Sequence, residues 1–137
     1  MRVMLDTNVV LDVLLDRAPF AEDSVAVFDL VERGAIHGLL CATTITTLAY
    51  LAAKSVGKAR ANRQIRQLLS LFEVAPVTRA VLDGALASKA PDFEDAVLAE
   101  SAALAGAHAI VTRNLRDFAH SPVRAHTPTQ WLAMHAL

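Results

Sequence analysis

Five short apolar runs, each ended by polar turn residues and separated from the next by helix-patterned sequence, constrain this chain most. They are residues 2–5, 36–42, 74–77, 109–111 and, more weakly, 123–126. Between them lie stretches with helical spacing or capping signals: 9–15, 22–32, 43–54, 58–71, 79–88, 92–104 and 127–135. Strands that alternate with helices imply βαβ units and a parallel sheet covered on both faces. The punctuation is chemical. Pro19 breaks the first helix, Gly34 and Gly106 stand just beyond two others, and Thr127-Pro128 offers a cap with proline in the first turn. Thr43 and Thr44 are expected to cap the third helix. Val25, Phe28, Leu30 and Val31 are expected on the apolar face of the second, and Ile65, Leu68, Leu69 and Phe72 on that of the fourth.

No linker, repeat or low-complexity stretch interrupts this alternation, so residues 1–137 are expected to form a single α/β domain. At that length the chain buries a core without cross-links. Cys41 is the only cysteine, which excludes an intrachain disulfide. No run of 18 apolar residues occurs, so no membrane span is expected, and a reducing cytoplasm fits. The net charge of −1 gives no global attraction to nucleic acid. The charges are segregated, however. Residues 1–32 hold seven acids and two bases, whereas residues 33–72 hold six bases and no acid.

In open parallel sheets, sites form outside the carboxyl ends of the strands. Strand one runs into Asp6, Thr7 and Asn8, and strand four into Thr112, Arg113, Asn114 and Asp117. The helix before strand four begins at the same end with Asp92, Glu94 and Asp95. Carboxylates thus arrive from separate elements, and a cation is the simplest neutraliser of such a cluster. Oxygen ligands without His or Cys favour Mg²⁺ or Mn²⁺ over zinc, which suits phosphodiester hydrolysis. Each acid also has a structural task open to it. Asp6 suits a helix cap, Asp92 a cap with Asp95 at the third helical position, and Asp117 a loop brace. Asp12, Asp16, Glu22 and Asp23 are read as solvent-facing, and the five histidines have no ligand spacing.

Three segments, MLDTNVVLDVLL at 4–15, DFEDAVLAESAALAGAHAIVTRNLRDF at 92–118 and HTPTQWL at 126–132, together resemble the PIN domain, in its bacterial branch related to VapC-type toxins. The resemblance implies a three-layer α/β/α sandwich around a short parallel sheet. It also implies a Mg²⁺- or Mn²⁺-dependent ribonuclease, often the toxin of a toxin–antitoxin pair and often a homodimer. Carried over by position, Asp6, Asp95 and Asp117 are the catalytic metal ligands. Thr7 and Asn8 support the first aspartate, Thr112 lies near the phosphate site, and Asn114 is the family's polar position after strand four. Asp92 and Glu94 are additional acids beside Asp95. One departure stands out: the family usually places an acid where Thr47 stands, and none occurs between Arg33 and Phe72 to replace it. The basic residues Lys54, Lys58, Arg60, Arg63 and Arg66 are candidates for RNA contact. The alternative to an active nuclease is a PIN fold with weakened metal affinity that binds RNA or a protein without cutting. A phosphoacceptor domain would need an aspartate in Ala75-Pro76-Val77-Thr78 or an acid at position 8, and neither is present.

Overall fold

The computed structural model describes residues 1–135. The last two positions of the expected 1–137 domain therefore lie outside the described residues. The elements, in chain order, begin with β1 (Arg2–Leu5), α1 (Thr7–Leu14), α2 (Ala21–Glu32), β2 (His37–Cys41), α3 (Ala42–Val56) and α4 (Lys58–Leu71). They continue with β3 (Glu73–Ala75), α5 (Arg79–Ala87), α6 (Phe93–Leu104), β4 (Ala109–Val111), a 3₁₀ turn (Leu115–Phe118), β5 (Ala125–His126) and α7 (Pro128–Met134). The five strands form one all-parallel sheet in the order β3-β2-β1-β4-β5. The fold is the expected α/β/α sandwich.

Alternation along each strand sends side chains to two cores. Val3 and Leu5 of β1, Leu40 of β2, and Ala109 and Val111 of β4 face a cluster with Val9, Val10, Val27, Leu48 and Trp131. Met4, Leu39 and Ile110 face the opposite cluster, with Val81 and Ala85 of α5 and the Ala96–Ala99 stretch of α6. Strand β2 needs a glycine. A Cβ at Gly38 would lie 2.6 Å from Cδ1 and Cε1 of Phe72, whose ring packs edge-on to Phe28.

Several local expectations are corrected. Val25 and Leu69 are both 49% exposed; Val27 takes a buried place in α2, while Leu68 and Phe72 are buried as expected. Thr43 and Thr44 do not cap α3, which starts from Cys41 without a side-chain cap; Thr44 is buried instead. The loop after β4 contains the 3₁₀ turn that carries Asp117. Asp12, expected in solvent, is fully buried. Among the described residues no helix is long and apolar enough to cross a membrane.

Candidate active site

Starting from β1 at the centre, the chain builds β2 and β3 on one side before crossing to β4 and β5 on the other. The carboxyl ends of β1 and β4 therefore flank the point where strand order reverses, which is where open α/β sheets open a crevice. Here it is a cavity of about 390 Å³ lined by Asp6, Thr7, Asn8, Thr47, Asp92, Glu94, Asp95, Asn114 and Asp117. Nine of the ten residues singled out in the sequence thus line one cavity. The tenth, Thr112, is fully buried and acts on it through Asp6.

Asp6 is held from three sides. Its backbone N–H donates to Val111 of β4 at 2.9 Å, so the sheet itself fixes the residue. Its Oδ1 accepts from the Thr7 N–H at 2.8 Å, and its Oδ2 accepts from the Thr112 hydroxyl at 2.7 Å. Thr112 Oγ1 in turn accepts the Asn114 N–H at 3.0 Å, tying the loop after β4 to the same point. Thr7 meets Thr44 hydroxyl to hydroxyl at 3.0 Å, and Asn8 Oδ1 accepts the Arg113 N–H at 3.4 Å. Asp6 caps α1 and faces the cavity at once, so its structural and chemical roles coexist.

Asp92 caps α6, its Oδ1 accepting the Asp95 N–H at 2.9 Å. This bond fixes the first turn of α6 and presents Glu94 and Asp95 at the cavity. Thr47, which the sequence resemblance matches to a usually acidic position, donates its hydroxyl to Glu94 Oε1 at 3.2 Å. A carboxylate from α6 thereby reaches the place left neutral on α3.

The electrostatics reflect this crowding. Asp95 is pushed up to about 7, by partial burial first and then by the charges of Asp6, Asp92, Asp117 and Glu94. Asp6 is also raised, chiefly by burial, with Asp117 and Glu94 adding repulsion; its bonds to Thr112 and Thr7 oppose the shift. Repelling carboxylates in one cavity suit a cation. The donor set is all oxygen, with no His or Cys in the lining. Among the described residues no three acidic, His or Cys side chains close into a tight metal cage. Mg²⁺ does not require one, since it is commonly bound through one or two carboxylates and keeps several waters. The residues present fit such an ion.

Two cations line the cavity that sequence reasoning left unassigned, Arg17 and Arg113. Both pair with the buried Asp12. Arg17 Nη2 lies 2.8 Å and Nε 2.9 Å from its Oδ1, and Arg113 Nε lies 2.7 Å from its Oδ2. The last approach is off the N–H direction, so Asp12 Oδ2 and Arg113 Nε meet as an ion pair without a hydrogen bond. The signal available in the sequence was an acid within the apolar run Val9–Leu14 of α1, five positions before an arginine. By contrast, Lys54, Lys58, Arg60, Arg63 and Arg66 do not line this cavity.

A profile of the PIN domain matches residues 2–116. No curated protein matches the sequence. Among solved structures, the chain resembles DNA-bound VapBC from Salmonella typhimurium, at 23% identity and TM-score 0.72, with 93% of this chain and 98% of that one covered. VapBC2 from Rickettsia felis, bound to a promoter DNA fragment, gives 17% identity and TM-score 0.71 over the same shares. VapC20 from Mycobacterium tuberculosis, described as a Sarcin-Ricin loop cleaving toxin, gives 13% and 0.64, covering 79% of this chain and 86% of that one. With the sheet order, the acidic cavity at the strand-order reversal and the profile match over most of its length, the chain belongs to the PIN domain family.

Proposed function

We propose that this protein is a metal-dependent endoribonuclease that hydrolyses RNA phosphodiester bonds as the toxin of a toxin–antitoxin pair. The observation that carries this is the convergence of Asp6, Asp95, Asp117 and Glu94 on one cavity at the strand-order reversal. Asp6, Asp95 and Asp117 would hold Mg²⁺ or Mn²⁺. When bound, such an ion polarises the phosphoryl group and acidifies a water nucleophile.

The protein's own residues prepare the cavity for this. Thr112 fixes the orientation of Asp6 and favours its charged form, and Asp92 fixes the backbone that carries Asp95. Leu11, Leu51 and Leu98 form an apolar part of the lining, which limits solvent screening of the charges beside it. Asn8 ties down the loop after β4 through the Arg113 N–H, and Asn114 of that loop lines the cavity.

The alternative, a PIN fold that binds without cutting, draws on the missing acid at Thr47. The Thr47–Glu94 hydrogen bond favours the active form, because it brings a fourth carboxylate to that place. An antitoxin partner is in keeping with the VapBC complexes among the structural neighbours. A second copy of the chain has apolar surface to meet in Leu82, Leu86 and Phe93, which are exposed on α5 and α6.

The test is cleavage of single-stranded RNA with and without Mn²⁺. The parent is expected to cut only with the ion, and Asp6→Asn is expected to be inactive. Equal cleavage by Asp6→Asn would assign the activity to a contaminant. Calorimetry with Mn²⁺ separates the alternative, for which no micromolar binding is expected.

A further inference from the structure

We propose that Asp12 is a positioning residue that holds Arg17 and Arg113 as a clamp for the phosphates of a bound RNA strand, at the rim of the acidic cavity. The proposal rests on the nuclease function above but concerns residues that the metal site does not use.

The starting point is a fully buried carboxylate on α1. Such a charge is tolerated only when it is paired. One arginine would suffice, yet two arrive, Arg17 from the loop after α1 and Arg113 from the loop after β4. The triad carries a net charge of +1 on one wall of a cavity that is otherwise acidic. Both arginine side chains remain partly exposed, at 39% and 26%, and both line the cavity.

Each arginine turns its Nε and Nη2 toward Asp12. A guanidinium has five N–H donors, so the Nη1 side of each stays available for an acceptor. Arg113 is fixed from a second direction, its guanidinium carbon stacked 3.9 Å above the Phe20 ring. A carboxylate that orients two planar forks at fixed positions builds a bidentate anion site, which suits phosphate oxygens. RNA needs such a site here, because its backbone must approach five carboxylates. The cations of α4 do not line this cavity, so they do not serve the purpose.

The isosteric variant Asp12→Asn gives opposite signs for the competing explanations. It makes the protein more positive by one unit. If the arginines act only as diffuse charge, RNA binding tightens. If Asp12 positions them, binding weakens despite the added charge. Binding is read by fluorescence anisotropy of a labelled single-stranded RNA across a salt series, in an Asp6→Asn background that prevents cutting. Arg17→Gln and Arg113→Gln are each expected to lower the slope of log affinity against log salt by about 0.7. Arg17→Lys and Arg113→Lys keep the charge and lose the fork. In the cleaving protein these two should raise KM about tenfold with kcat little changed, the loss of one charge-assisted hydrogen bond. They also serve if Asp12→Asn does not fold.

Asp12→Asn that lowers the unfolding midpoint but leaves salt slope and KM unchanged would reduce Asp12 to a structural anion and overturn the proposal. So would lysine variants that bind and cut like the parent, with the nuclease function left standing. A parent that never cuts, but whose RNA affinity still depends on both arginines and on Asp12, would keep the clamp and defeat the nuclease function.

Discussion

Thr112→Val tests whether the hydroxyl that touches Asp6 governs the metal site. The substitution keeps shape and removes only the donor to Asp6 Oδ2 at 2.7 Å and the acceptor for the Asn114 N–H at 3.0 Å. Both Asp6 and Thr112 are buried, so no bulk solvent replaces the lost bond. A hydrogen bond to a charged group contributes about 1.5–3 kcal/mol, and the donor is lost at full value when its partner stays buried. The loss applies only while Asp6 is ionised. Thr112 is the largest influence holding the Asp6 pKa down against burial, so its removal raises that pKa further. Unfolding by urea should therefore show the variant destabilised by about 1.5–3 kcal/mol at high pH, and by less in acid, where Asp6 is neutral in both proteins. Loss of a group that orients a metal ligand also typically weakens metal affinity about 10–100-fold. Calorimetry with Mn²⁺ measures this directly. A variant that binds Mn²⁺ like the parent, with equal stability at high pH, would refute Asp6 as an oriented ligand.

The remaining predictions concern charge balance and packing. Asp95 holds a proton up to about 7 when folded, against 3.8 for an ordinary aspartate, so folding takes up a proton between those values. Its contribution to metal-free stability is present in acid and lost as pH rises toward and through 7, and apparent Mn²⁺ affinity should fall about tenfold per pH unit below 7. A flat Mn²⁺ affinity from pH 5 to 8 would contradict this. Glu94→Gln should weaken Mn²⁺ binding about 10–100-fold if Glu94 supplies what Thr47 lacks; Thr47→Glu should strengthen Mn²⁺ binding while lowering the metal-free melting temperature. Gly38→Ala drives a methyl into the Phe72 ring and should cost about 1–3 kcal/mol in urea unfolding, with Mn²⁺ affinity per folded molecule unchanged.

The fold was legible because its signals are local. A run such as Val3-Met4-Leu5 is buried on both faces and is apolar throughout, as a central parallel strand must be. Caps at Asp92 and Thr127 stand next to the helices they start, and Thr127 completes a capping box with Gln130. The errors arose where local pattern and tertiary contact disagree. Val25 and Leu69 fit a helical apolar stripe but stay about half exposed, because the tertiary packing buries other positions of their helices. Thr44 has the chemistry of a cap, yet its hydroxyl is drawn instead to Thr7, 37 positions away.

The same distinction divides the site. Asp6 directly follows β1, Asp117 stands in the short turn after β4 and Asp95 in the first turn of α6, and strand order sends such positions to one crevice. Asp12 does not. It sits within α1, where helical periodicity offers no reason for a charge to be buried, and a lone acid on a helix belongs in water by default. Arg17, five positions on, supplies one partner, but the second, Arg113, comes from 101 positions later and follows β4 to the side of β1. The pairing of those two strands thus completes the environment of Asp12. An ionisable group whose solvation depends in part on strand order is invisible to periodicity. It becomes informative once the sheet is known, because burying one carboxylate against two arginines fixes where both of those arginines stand.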